Sequence, residues 1–167
     1  KFLILPKIQK MKIVLLVVGK TKLQYLIDGI SVYRKRLKHY TQFEVFEIPN
    51  IKNTTNLSNS DVMLKEAELI MKNINPSDYL VLLNSKAKTF TSNQFANKIQ
   101  SWMLSGKKRI VFLIGGSFGF CQQIYARGNE EISLSKMTFS HQMVRLFFVE
   151  QLYRGYTILN HEPYHHN

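Results

Sequence analysis

The residues with the most chemical promise gather in the second half of the chain. Residues 110 to 120 read IVFLIGGSFGF, an apolar run set directly against a glycine pair with a third glycine three residues on. Backbone with so little side-chain bulk lets a flat or polar ligand come close to main-chain N–H and C=O groups. A plain strand-to-helix turn fits the same spacing equally well. A dinucleotide fingerprint requires G-x-G-x-x-G after the first strand and an acidic residue about 20 positions later, and GGSFG fails the glycine spacing and follows a late strand. The GKT at 19 to 21 ends like a phosphate loop, but Val14 stands where that loop needs its first glycine.

Other reactive side chains are less telling on their own. Cys121 follows the glycine turn, yet no base or orienting group accompanies it, which favours a small packed residue over a nucleophile. His161 and His165 are four apart in the tail HEPYHHN, but Pro163 breaks the helix that would make them a metal-binding face. No metal is expected. Arg145 and Arg154 could hold phosphates, although Glu150 and Arg154 at i,i+4 also make an ordinary helix ion pair.

The elements that must position these groups are legible from periodicity. IVLLVV at 13 to 18, YLVLL at 79 to 83 and RIVFLI at 109 to 114 are continuous apolar runs, as in strands buried on both faces of a parallel sheet. FEVFEI at 43 to 48 alternates as a further strand, stopped by Pro49 ahead of an Asn/Ser-rich surface loop. Helical stripes run through Leu23, Leu26, Ile27, Ile30, Tyr33 and Leu37, and from Asp61 through Met63, Ala67, Ile70 and Ile74. Thr91 and Gln94 form a capping-box pattern ahead of Phe95, Ile99 and Trp102. FCQQIYAR is a short helix candidate, and HQMVRLFFVEQLYRGYTIL is a last helix, apolar on nearly every side. Its Phe147, Phe148, Val149, Leu152, Tyr153 and Tyr156 are expected to bury against the sheet or a partner chain. Strands alternating with helices predict an α/β fold with a mainly parallel sheet and helices on both faces.

At 167 residues the chain suits one domain. Its 23 basic and 11 acidic residues give a net charge of +12, which attracts polyanions, nucleic acid before an anionic membrane surface. Arg34, Lys35, Arg36 and Lys38, together with Lys107, Lys108 and Arg109, are the candidate backbone contacts. The one cysteine excludes an internal disulfide framework and fits a reducing cytoplasm. The opening KFLILPKIQK is too short for a membrane span and is cut by Pro6, and the first strand begins after Met11. Residues 1 to 10 are therefore expected to be an extension outside a single domain spanning 11 to 167.

Four separated motifs, LLNSKAK at 82 to 88, IGGSFGF at 114 to 120, SLSKMTFSHQMVRLFFVEQLYRGY at 133 to 156 and the terminal HEPYHHN, resemble the ribosomal RNA large subunit methyltransferase H family of the SPOUT superfamily. The resemblance runs from Met11 to the last residue. It implies a deep trefoil knot in the C-terminal part, a homodimer, and methylation of N3 of a pseudouridine in 23S ribosomal RNA, met within the ribosome. It implies S-adenosylmethionine bound by Leu83, by Gly115 and Gly116, and by Leu134, Ser135, Lys136, Met137, Thr138 and Phe139. The methyl carbon is already activated by the sulfonium, so the protein must chiefly align the attacking nitrogen and help remove its proton. His141, Tyr164 and His165 are the candidates for that task, with Arg145 added to Arg34, Lys35, Arg36 and Lys38 as RNA contacts. The chain departs from the family pattern at Asn84, Ala87, Ser140 and His166, which bear on loop geometry and tail chemistry. The alternative reading is a non-catalytic ribosome- or RNA-binding protein of the same fold.

Overall fold

The computed structural model describes residues 11 to 166; the expected extension at 1 to 10 lies outside the described residues. The chain alternates strand and helix: β1 (Lys12–Val18), α1 (Gln24–Leu37), β2 (Gln42–Ile48), α2 (Asn59–Lys72), β3 (Tyr79–Leu83), α3 (Ser92–Leu104), β4 (Arg109–Ile114), α4 (Gln122–Arg127), β5 (Glu130–Ile132) and α5 (Met143–Leu159). The sheet order is β2-β1-β4-β3-β5. Every pairing between these strands is parallel, with Lys12 opposite both Gln42 and Arg109, and Tyr79 opposite Ile110.

The apolar runs lack alternation because both faces of the sheet are covered. From β1, Ile13, Leu15 and Val17 pack with α1, α3 and α5 through Ile30, Leu37, Phe95, Ile99, Trp102 and Phe148. Val14, Leu16 and Val18 of the same strand point the other way, onto Ala67, Ile70 and Ile74 at α2 and Ile124 of α4. Phe112 centres the first layer, its ring 4.6 Å from that of Phe148 and 5.5 Å from Trp102. The α/β architecture with helices on both faces is as the sequence predicts, and parallel pairing extends through all five strands.

Local departures have local causes. α2 begins at Asn59, two residues before the apolar stripe, because Ser58 accepts from the Asp61 N–H while the Asp61 carboxylate accepts from the Ser58 N–H. The polar loop before it contains a short 3₁₀ turn, Thr54–Asn56. β5, which the sequence reading does not anticipate, is three residues long and joins the edge of β3 through Val81 to Leu83. On α1 the buried stripe is narrower than predicted: Leu26, Ile30 and Leu37 are buried, whereas Leu23 and Ile27 are 45% and 40% exposed. Thr91 and Gln94 form the anticipated capping box at the start of α3. Among the described residues no helix is long and apolar enough to cross a membrane.

Candidate functional site

β3, β4 and β5 are adjacent and parallel, so their carboxyl ends open on the same edge of the sheet, where backbone groups leaving the ladder are free to meet a ligand. The segments that follow them enclose a cavity of about 550 Å³, within the roughly 300–1,000 Å³ typical of small-molecule sites. The first wall is Leu83 to Lys86, the second Ile114 to Phe120, and the third Ile132 to Ser135 with Met137 to His141; Tyr125 and Val144 complete it. Of the nine residues assigned by resemblance to the methyl donor, eight line this one cavity. Lys136 is exposed and does not contribute to the wall.

Hydrogen bonds hold the three segments in register. Asn84 N–H donates to the Ile132 carbonyl at 2.9 Å, and Ser133 N–H donates to the Lys88 carbonyl at 2.9 Å. The Asn84 side chain donates to Glu131 at 2.7 Å, so the amide at this departure from the family pattern ties the first wall to β5. Ser135 accepts from the Met137 N–H at 2.9 Å and shapes the third segment. Phe139 packs against Phe147 of α5, the rings tilted by 47° with centres 4.6 Å apart. Ser140, the second departure, accepts from the Met143 N–H at 3.1 Å and so caps the first turn of α5.

The glycine pair is required by close approach rather than by backbone conformation, since neither Gly115 nor Gly116 has a positive φ. A Cβ at Gly115 would stand 2.8 Å from the Phe120 ring. One at Gly116 would stand 2.5 Å from Oε1 of Glu66, a buried residue of α2. The bulk missing from the turn thus makes room for the protein's own Phe120 and Glu66. Gly119 is the glycine of this turn that adopts the left-handed region, at φ 82°.

His141 sits exposed at the rim of the cavity. Partial burial, then the charges of Arg145 and Lys22, hold its pKa below the ordinary 6.5, so near neutral pH the imidazole is uncharged and able to accept a proton. Arg145 does not take the role expected for it. It is fully buried, and its guanidinium donates to the carbonyls of Val18 at 2.8 Å, Gly19 at 2.9 Å and His141 at 3.0 Å and to the Thr21 hydroxyl at 3.0 Å. An apolar helix delivers this side chain to the end of β1, where it satisfies carbonyls and leaves no N–H group at the surface for a phosphate. Its effect on the site is indirect, through the His141 backbone.

The tail lies elsewhere in the chain. Tyr164 donates to Glu150 at 3.0 Å and meets the Tyr33 hydroxyl at 3.2 Å, while His165 Nδ1 lies 3.2 Å from Arg154. Burial, then the Tyr33 and Glu150 contacts, raise the Tyr164 pKa. Arg154 pairs with Glu150 at 2.6 Å, the ordinary i,i+4 arrangement, and lies 4.7 Å over the Tyr164 ring. Neither Tyr164 nor His165 lines the cavity. Arg34, Lys35 and Arg36 occupy the last turn of α1, with Lys38 just beyond, roughly 20 Å along that helix from its cavity-side start. Arg36 sits 5.5 Å over both Tyr33 and Tyr153, which brings the basic cluster and the tail to one surface. In the second basic group, Arg109 is paired with Asp78, and the Lys107 ammonium lies 4.4 Å over the Tyr79 ring. Cys121 stands at the start of α4, packed against the α2 side of the core and outside the cavity wall.

Sequence reasoning missed Phe118, Phe120 and Tyr125, which line the cavity, and Glu66 behind it. The two phenylalanines were visible within GGSFGF itself. Tyr125 gave no signal, because only the fold returns α4 to the mouth of β3.

Residues 11 to 165 match the family model described as "Predicted SPOUT methyltransferase". The chain is 54% identical over 156 residues to the ribosomal RNA large subunit methyltransferase H of Parabacteroides distasonis, covering 93% of this chain and 99% of that protein. The proteins of the same name from Phocaeicola vulgatus and Flavobacterium johnsoniae are 53% and 52% identical over the same shares of both chains. With the strand-end cavity and nearly the whole length matched, the chain belongs to the SPOUT methyltransferase family and groups within it with the ribosomal RNA large subunit methyltransferases H.

Proposed function

We propose that the cavity at the ends of β3, β4 and β5 binds S-adenosylmethionine and that the protein transfers its methyl group to N3 of a pseudouridine in 23S ribosomal RNA. The observation that carries this reading is the convergence of three segments, distant in sequence, on one cavity with an uncharged histidine at its rim. The residues present suit the donor. Leu83, Ile114, Leu134 and Met137 offer apolar surface for an adenine, and the backbone of the glycine turn offers polar partners. No carboxylate lines the cavity.

The donor supplies a methyl carbon activated by its sulfonium, and transfer leaves S-adenosylhomocysteine. The chain's own residues do the rest. N3 of a pseudouridine carries a hydrogen between two carbonyls, so the N–H bond must break as the N–C bond forms. In this reading His141 takes that proton, directly or through a water, and its lowered pKa supports the role. Ser140 and Arg145 fix the backbone that carries it.

Within one chain the tail and the basic cluster face away from this chemistry. A homodimer that covers the exposed Leu23, Tyr25, Ile27 and Phe147 would set the tail and the α1 cations of one chain beside the cavity of the other. In that arrangement Tyr164 and His165 position the nucleotide, and Arg34, Lys35, Arg36 and Lys38 bind RNA phosphates, with the assembled ribosome presenting the substrate. The trefoil knot belongs to the same proposal, as does a cytoplasmic location. The test is transfer of labelled methyl from S-adenosylmethionine to ribosomes from cells lacking this gene. Incorporation at one pseudouridine is expected. RNA binding without any incorporation would favour the non-catalytic alternative.

A further inference from the structure

The tail after α5 is held on its own chain by a network that the transfer reaction leaves unexplained. The backbone reverses at His161, which takes a φ of 55°. Glu162 N–H then donates to the Thr157 carbonyl at 2.9 Å, and the Glu162 carboxylate accepts from the Tyr40 hydroxyl at 2.5 Å. These contacts lay Tyr164 and His165 along α5, beside Glu150 and Arg154. In this group the Arg154 guanidinium is divided between two partners. Its Nε and Nη2 donate to one oxygen of Glu150, at 3.1 and 2.6 Å, which leaves Nη1 to meet His165 Nδ1 at 3.2 Å.

The direction of that last contact follows from the chemistry of the pair. A guanidinium has only N–H groups to offer, so the imidazole nitrogen facing it must be the acceptor, without a hydrogen. The neutral ring then carries its hydrogen on Nε2, because the hydrogen bond at one nitrogen decides the state of the other. Nε2 itself has no hydrogen-bond partner among the described residues, and no buried side-chain nitrogen or oxygen there goes unpaired, so this N–H reaches the surface. A ring held in this form offers a donor at Nε2 and has no free lone pair with which to take a proton.

We propose that Arg154 is a positioning residue that fixes His165 as the Nε2–H tautomer, and that His165 meets the target pseudouridine as a hydrogen-bond donor to a carbonyl beside N3. The inference rests on the proposed reading of methyl transfer in a dimer, in which the tail of one chain reaches the cavity of the other. As the N3–H bond breaks, negative charge spreads onto the two flanking carbonyl oxygens. A donor already held there stabilises that charge. The proton goes to His141 and the methyl carbon to N3, with S-adenosylhomocysteine leaving, while His165 keeps its own hydrogen throughout. The two histidines divide the work, one accepting and one donating.

The test uses the full chain with S-adenosylmethionine and ribosomes from cells lacking this gene. His165→Ala should lower kcat about 100-fold, the cost of losing one donor at a developing charge. His165→Gln carries an amide N–H close to where Nε2 stands but cannot take a proton, and it should recover about tenfold of that loss. A base lost from this position does not return with Gln. Equal kcat in His165→Gln and His165→Ala therefore overturns the proposal, as does a His165→Ala chain with the wild-type kcat. Arg154→Met keeps the length of the side chain and removes its donors. It should lower kcat about tenfold on its own and add little to His165→Ala, since it acts through the same ring. Losses that simply multiply overturn the positioning role. The ring nitrogens report independently of turnover: nitrogen NMR of the wild type should show hydrogen on Nε2 and none on Nδ1, and hydrogen on Nδ1 contradicts the assignment. A wild-type chain that transfers no methyl group sinks the reading of the reaction itself, an outcome distinct from any variant result.

Discussion

At the scale of single residues, three polar groups bear on the cavity: His141 exposed at its rim, and Glu66 and Arg145 buried behind it. His141 is kept uncharged by burial and by the cations Arg145 and Lys22. Its folded pKa lies below 6.5, so the form that accepts a proton is complete at neutral pH and declines as pH falls through the lowered value. Methyl transfer should therefore hold a plateau above 6.5 and fall only on the acid side; replacing His141 with Ala should cost on the order of 100-fold in rate while leaving S-adenosylhomocysteine affinity close to wild type. Rate–pH profiles of the two proteins check both statements. Glu66 titrates with the opposite consequence. Its folded pKa is raised above 4.5, so its contribution to stability is complete below that value and is lost as pH rises through the raised one. Thermal melts should show a larger loss from pH 4.5 toward neutrality in the wild type than in Glu66→Gln. Arg145 anchors three carbonyls and a hydroxyl. Its replacement by Met should destabilise the fold by about 3 kcal/mol in denaturant titrations. The salt dependence of RNA binding should not change, since the guanidinium does not reach the surface.

At the scale of elements, the strands buried on both faces were legible because a sheet covered on two sides demands uninterrupted apolar runs. The same physics hid β5: EEI carries two glutamates, and its place at the edge of β3 is set by tertiary pairing that no periodicity announces. Thr91 and Gln94 marked α3 because capping chemistry is local, and replacing Thr91 with Ala should cost about 1 kcal/mol. Ser58 and Asp61 do the same for α2, but they sit inside an Asn/Ser-rich stretch whose composition reads as loop. The glycine turn was legible as a close-approach element, although what approaches from behind is Glu66, 50 residues earlier in the chain, and spacing carries no trace of such a contact. The burial of Arg145 was illegible for a similar reason: its partners are the carbonyls at the end of β1. The exposed cations at the end of α1 are the group that the proposal assigns to phosphate contact. Changing Arg34, Lys35, Arg36 and Lys38 to Gln together should flatten the log–log salt dependence of RNA affinity by roughly 3 units, with donor binding unchanged.

At the scale of the whole molecule, the fold sets the cavity and the basic cluster apart along its helices. The cavity occupies the carboxyl edge of the sheet, while the α1 cations and the Tyr33, Tyr153 and Tyr164 cluster lie along the far halves of α1 and α5. On the proposed arrangement two copies come together, so size-exclusion chromatography with light scattering should return twice the chain mass. Adding charge with Ile27→Asp, on the exposed side of α1, should shift it toward the monomer and lower activity with it. The +12 net charge suits an RNA partner but says nothing of the donor site. The claim beneath all of this is that the segments after β3, β4 and β5 form one methyl-donor pocket. Calorimetric titration of the full chain with S-adenosylhomocysteine tests it most directly. One saturable site per chain is expected, and Gly115→Leu should abolish it, because the added side chain collides with Phe120 and closes the turn. A wild-type chain that gives no binding heat, or a Gly115→Leu chain that binds as well as wild type, would contradict it.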